Sequence, residues 1–105
     1  AAARGKAVFN GAGKCATCHT GTLLTDANVR LHAPAEVVTE PGYAARSATK
    51  MYRTSPLAGV WQHPPYFHDG SAPTLDAVVA RYNTVKNLHL TPQQMADLVQ
   101  YLKSL

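Results

Sequence analysis

Cys15-Ala16-Thr17-Cys18-His19 is the stretch on which the reading of this chain turns. Two cysteines three positions apart, followed at once by a histidine, place three reactive groups on about one helical turn. In that arrangement the thiols straddle the two vinyl groups on one edge of a porphyrin, and the adjacent imidazole is delivered to the iron. A redox dithiol would want a parallel-sheet context, and zinc would want further ligands at motif spacing; the sequence offers neither signal. The chain holds only these two cysteines, which excludes a four-thiolate zinc site and a four-cysteine iron–sulfur cluster. The expectation is one haem c, bonded covalently through Cys15 and Cys18 and ligated by His19.

A chain of 105 residues is one domain, here read as a monohaem unit over residues 1–105, and it buries its own core only marginally. A haem would add the apolar nucleus that the side chains alone would struggle to provide. The share of hydrophobic residues, 46%, against 15% charged is that of a globular chain rather than a disordered one. Ten Lys and Arg against six Asp and Glu give +4 at pH 7. Two ionised haem propionates would bring this to roughly +2. The basic residues are scattered, with no arm or interleaved aromatic platform for nucleic acid. A mildly positive face would steer an acidic redox partner, acting on rate more than on affinity.

The sequence contains no apolar run of 18 residues, so no membrane span is expected. Its Ala1-Ala2-Ala3-Arg4 start resembles neither a signal peptide nor an anchor, and suits a processed secreted chain or a domain of a larger one. Haem is joined to such thiols on the outer side of the bacterial inner membrane. The expected location is therefore the periplasm or another extracytoplasmic compartment.

Outward from the haem motif, Arg4 to Asn10 carries Ala7, Val8 and Phe9 between polar positions and predicts a short helix, with Phe9 in the core against the haem edge. Gly11-Ala12-Gly13 interrupts it, allowing a kink or a close backbone approach to the porphyrin. Gly21 marks a turn away after His19. Leu23 to Lys50, broken by Pro34, Pro41 and Gly42, predicts loop with one turn of helix at most, and its expected role is to wrap the haem. His32, alone in this polar loop, reads as a solvated side chain before it reads as a ligand.

Met51 to Gly70 is too rich in proline for a regular element and too aromatic for a linker, with Tyr52, Trp61, Tyr66 and Phe67 offering area to cover a porphyrin face. Arg53 can present a paired donor to a propionate, and the Trp61 indole N–H is a second such donor. His68-Asp69-Gly70 reads as a turn whose histidine is oriented locally. Two helices follow. Thr74 caps the first, which sets Leu75, Val78, Val79 and Tyr82 on one face. Thr91-Pro92-Gln93-Gln94 opens the second with a capping box, and Met95, Leu98, Val99, Leu102 and Leu105 recur along the face expected to cross the first helix. The fold class is all-α, short helices and long loops around one haem.

This order of elements resembles a class I c-type cytochrome domain. The runs Tyr52-Arg53-Thr54-Ser55-Pro56-Leu57, Pro65-Tyr66-Phe67-His68-Asp69-Gly70, and Thr74-Leu75 with Val78, are similar to the carboxy-terminal haem domain of the dihaem cytochrome c peroxidase and methylamine-utilisation haem enzyme family. The resemblance covers positions 5 to 105 and implies an electron-transferring haem, peroxide reduction in that family occurring at a second haem in a preceding domain. One haem motif here means that this chain alone cannot carry the two-haem mechanism. The resemblance also implies a second axial ligand near the end of the helix that starts at Thr74, methionine in the peroxidases and tyrosine in the methylamine-utilisation enzyme; Tyr82 holds the corresponding position.

From the residues themselves Met51 is the leading candidate for the sixth ligand, because a loop thioether is sterically free to reach the iron. Tyr82 comes next, and His89, His32, His63 or an open position complete the set, with Met95 read as core filler. A thioether favours ferrous iron and an electron carrier, whereas tyrosinate favours ferric iron and lowers the potential. The leading function is electron transfer, as a small secreted monomeric carrier or as the electron-entry domain of a larger oxidoreductase, with a redox protein as partner. A weak or open sixth position would give peroxidase-like chemistry or ligand sensing instead, with His63 and His68 as acid–base candidates.

Overall fold

The first and last helices are locked together at a glycine. In the computed structural model, which describes residues 1–37, 46, 48–67 and 70–105, α1 spans Ala2–Asn10 and buries Gly5, Val8 and Phe9, positions spaced so as to share one face. A β-carbon on Gly5 would fall 1.9 Å from the Asp97 carbonyl oxygen and 2.8 Å from the Tyr101 β-carbon. Only hydrogen fits there, so the two backbones touch. Above the crossing, Arg4 donates to both Asp97 carboxylate oxygens at 2.8 and 2.9 Å, and the Gln93 amide donates to the same carboxylate at 3.0 Å. Below it, the Phe9 ring meets Tyr101 edge-on at 5.2 Å.

The partner helix, α3, spans Pro92–Lys103, and α2 before it spans Leu75–Val85. Both begin where their caps predict. The Thr74 hydroxyl accepts from the Ala77 N–H at 3.2 Å. Thr91 accepts from the Gln94 N–H at 3.1 Å while the Gln94 side chain accepts from the Thr91 N–H at 2.9 Å, a complete capping box ahead of Pro92. Each such cap satisfies donors that a helix start leaves orphaned, worth about 1 kcal/mol. Val8 and Phe9 of α1, Leu75 and Val79 of α2, Leu90, and Leu98, Val99 and Leu102 of α3 form one buried cluster. The expected crossing of α1 by the α3 face is borne out, and Met95 packs at the edge of the cluster as filler.

Among the described residues between α1 and α2, regular structure is sparse. Three-residue 3-10 turns occur at Cys15–Thr17, Pro34–Glu36 and Val60–Gln62. Two isolated antiparallel bridges, His32 with Tyr52 and Tyr66 with Ala72, are the only strand-like pairings among the described residues. The Gly59 N–H donates to the Leu105 carbonyl at 2.9 Å, tying this middle segment to the end of α3. Among the described residues the arrangement is all-α without a sheet, consistent with a class I cytochrome c-like fold. Among the described residues no helix is long and apolar enough to cross a membrane. His68 and Asp69 of the expected turn lie outside the described residues.

Candidate haem-binding site

The haem motif sits where α1 is forced to stop. Beyond Asn10 the chain folds back, with the Gly13 N–H donating to the Val8 carbonyl at 2.8 Å and Lys14 adopting a left-handed conformation, φ 55°. A β-carbon on Gly13 would lie 2.9 Å from the Val8 carbonyl oxygen and 3.3 Å from the Cys15 sulfur. Glycine therefore lets the cysteine lie flat against the end of the helix. The turn that follows is closed by the His19 N–H on the Cys15 carbonyl at 3.0 Å, which brings both thiols and the imidazole to one side. Gly21 at φ 70° then turns the chain away.

These groups open onto a cavity of about 770 Å³. That lies in the range of pockets that enclose a cofactor-sized ligand. Its walls are largely apolar, with Phe9, Leu57, Val60, Leu75, Val79 and Leu98 among them. The Nδ1 of His19 lies 2.9 Å from the Leu24 carbonyl oxygen, an acceptor only, so Nδ1–H donates there and Nε2 is the nitrogen that would ligate a metal. Burial, the largest influence, moves the His19 pKa below its ordinary value, so the ring is neutral at pH 7. Burial also pushes the Cys15 thiol up to about 11, the opposite of what a reactive Cys-x-x-Cys dithiol needs. No disulfide joins the two cysteines. An apolar chamber with two thiols and one imidazole Nε2 at its edge fits a covalently attached haem c.

Of the other residues expected at the site, Arg53 and Tyr82 line this cavity. Met51 and Trp61 are not part of its lining: Met51 is 37% exposed, and Trp61 lines a separate recess of about 430 Å³ with Tyr66, Leu75 and Lys103. Met95 does not line the cavity either, so among the described residues no thioether does. Tyr82 is carried there by the α2 face that the sequence periodicity defines, together with Leu75, Val78 and Val79. Its ring packs 6.0 Å from Phe67, over which the Arg81 guanidinium lies at 4.4 Å. Burial is the main cause that raises its hydroxyl pKa, to about 12. His63 lines the cavity and is exposed; His89 is exposed and outside the lining.

A charged network beside Cys18 had not been anticipated. Asp26 is 4% exposed and His32 2%, so His32 is buried rather than solvated. The Asp26 Oδ2 atom accepts from Arg30 Nε at 2.8 Å and lies 2.8 Å from His32 Nε2, while His32 Nδ1 faces Glu36 Oε1 at 3.2 Å. Burial alone would raise the Asp26 pKa, yet hydrogen bonds from Thr54, Arg30 and His32 outweigh it and hold the carboxyl far below the usual range. One ligand-type atom each from Cys18, Asp26 and His32 lies within 4.8 Å of the others. The 2.8 Å approach of Asp26 to His32 is a hydrogen bond, closer than the separation of about 3.3 Å that tetrahedral zinc bonds would impose. Asp26–Arg30 and His32–Glu36 are both four apart, a helix-pair signal that carries no weight in a segment reading as loop. Lys86, at the end of α2, also lines the cavity and donates to the Glu36 carbonyl.

Fold and site together define a c-type cytochrome domain of class I arrangement. Comparison with known proteins extends this. A family model described as "RoxA-like, cytochrome c-like" matches residues 51–86, the stretch that contains Arg53, Phe67 and Tyr82. The chain is 30% identical over 149 residues to a cytochrome-c peroxidase of Denitromonas iodatirespirans, covering 99% of the chain and 40% of that relative. It is 29% identical over 121 residues to the methylamine utilization protein MauG of Methylorubrum extorquens, covering 99% of the chain and 34% of the relative. An uncharacterized protein of Sinorhizobium fredii is 48% identical over 29 residues, 28% of the chain and 5% of that protein. The chain thus spans 40% and 34% of the lengths of the two relatives it matches throughout. No solved structure matches. The protein is a c-type cytochrome domain related to the group that includes these RoxA-like, MauG and cytochrome-c peroxidase proteins.

Proposed function

We propose that the chain transfers electrons through one covalent haem c held in the single domain 1–105, as a secreted carrier or as the electron-entry domain of a larger oxidoreductase outside the cytoplasm. The observation that carries the reading is the apolar cavity with Cys15, Cys18 and His19 at one edge and Tyr82 in its wall. Bound there, haem c supplies one-electron exchange between ferric and ferrous iron. The chain's own part is to hold ligands fixed in both states and to keep water out. The Leu24 carbonyl fixes the orientation of His19, and the Phe9 ring, 6.3 Å from it, backs it on the core side. Arg53, in the cavity wall, is the propionate donor in this reading, and Lys86 in the same wall is a second cation for the pair. A redox protein with an acidic face suits the chain's +4 charge as partner.

Tyr82 is the sixth ligand in this reading, in preference to Met51. Support comes from its place in the cavity wall, from the absence of both methionines from that wall, and from the resemblance of its position to the tyrosine of the methylamine-utilisation enzyme. Bound to iron, Tyr82 would be an anionic oxygen donor, which favours ferric iron. The same feature favours a second reading, peroxidase-like chemistry or ligand sensing at a weakly held position, with His63 the acid–base group at the cavity. Near-infrared magnetic circular dichroism of the ferric protein decides the ligand. Absence of a methionine-to-iron band, with a spectrum changed by Tyr82→Phe and untouched by Met51→Ala, is expected; a band abolished by Met51→Ala would sink the assignment. Reversible ferric–ferrous titration without turnover of peroxide separates carrier from peroxidase.

A further inference from the structure

We propose that Asp26, a buried carboxylate beside the Cys18 sulfur, sets the ferric–ferrous balance of the haem by opposing electron uptake electrostatically. The inference rests on the electron-transfer reading and adds a residue to it. A haem bonded through Cys18 necessarily lies beside whatever surrounds that sulfur. An oxygen of Asp26 and a nitrogen of His32 lie within 4.8 Å of it and of each other. The neighbouring charges are unequally screened. The Asp26 side chain is 5% exposed, whereas the Arg30 side chain that pairs with it is 52% exposed. A buried charge keeps its field; a charge half in water loses most of it. His32 stands between Asp26 and Glu36, and Glu36 is 51% exposed. Of the two carboxylates, the one on Asp26 is therefore the better placed to be felt at the porphyrin edge. An added electron is repelled by it, so ferric iron is favoured.

Arg30 supplies the opposite sign from the same network. Its guanidinium donates to the Thr17 carbonyl at 3.1 Å and approaches the Cys18 sulfur at 4.0 Å, so it touches the haem-attaching turn directly. Removing Asp26 and removing Arg30 should then move the potential in opposite directions. Loosening of the loop would not do this: it would admit water to the same haem edge in both variants and shift both one way.

The test is an equilibrium redox titration of the haem-loaded protein at pH 7, followed by haem absorbance, on the parent, Asp26→Asn and Arg30→Gln. Asp26→Asn is expected to raise the ferrous-to-ferric ratio at a fixed potential at least tenfold, about 59 mV for one electron. Arg30→Gln is expected to lower it about threefold. Shifts of the same sign, or an Asp26→Asn potential equal to the parent's, overturn the inference. Should Asp26→Asn not accumulate with haem, Arg30→Gln and Arg30→Glu decide alone, since either one raising the potential or leaving it unchanged overturns it. A parent that does not titrate reversibly overturns the electron-transfer reading instead, which keeps the two failures apart.

Discussion

The helical pair α1 and α3 and the loop side of the cavity are built on different principles. The pair is held by contacts with no slack: Gly5 against the Asp97 backbone, a bidentate Arg4–Asp97 bridge, Phe9 against Tyr101 and a full capping box. The loop side, residues 21–37 and 48–67, has two three-residue turns, one bridge to Tyr52 and one to Ala72, and a chamber of about 770 Å³ where a core would be. One half has its own core, and the other borrows one from the cofactor. A short chain can afford so open a loop side only because a large apolar group is bonded into it.

The sharpest way to break the contrast is to remove the attachment. Cys15→Ser with Cys18→Ser should abolish covalent haem completely, read as loss of haem stain on a denaturing gel. Amide exchange should then lose protection on the loop side before the α1–α3 pair. Equal loss on both sides would mean that the pair has no independent core. Next in size is Gly5→Val, which pushes a side chain into backbone and should cost about 3 kcal/mol, the upper end of overpacking effects, in a denaturant titration of the loaded protein. A loss under about 1 kcal/mol would show that the helices re-seat freely. Thr91→Ala removes one cap and should cost about 1 kcal/mol with the haem spectrum unchanged.

The smallest effect appears only in acid. The Asp97 pKa lies below its ordinary value because Arg4 donates to it, against the opposing effect of burial, with Gln93 adding a second donor. Its carboxylate therefore binds protons less readily in the folded chain than in the unfolded one. The stability this contributes is complete above the unfolded pKa, about 3.9, and is lost as pH falls through the folded value. Asp97→Asn should flatten the acid-unfolding curve below about pH 4 and leave the melting of the loop side at neutral pH nearly unmoved.

The contrast also explains what the sequence could disclose. Thr74, the Thr91-Pro92-Gln93-Gln94 box and the apolar spacing of α2 and α3 are local signals, read within a few residues, and the structure places each of them as expected. The α2 period placed Tyr82 on the same face as Leu75, Val78 and Val79, and that face lines the cavity. What stayed hidden depends on distant partners. Gly5 looks like an ordinary helix residue until Asp97 arrives against it from the far end of the chain. His32 reads as solvated because nothing nearby in sequence shows that Tyr52 will pair with its backbone and that Asp26 and Glu36 will close around its ring. In an irregular loop no period marks which residues face inward, so the positions of Met51 and Trp61 relative to the cavity were beyond any spacing argument.

The Arg4–Asp97 bridge joins positions 93 apart, and this separation imposes an order of events on folding. The haem-bearing turn is closed by contacts within a few residues, whereas the wall that Leu98 and Leu102 contribute to its chamber does not exist until α3 has docked. Until then the two thiols sit on a chain that has not folded over them. Long-range closure thus leaves the maturation machinery an open window on Cys15 and Cys18, and the docking of α3 shuts it.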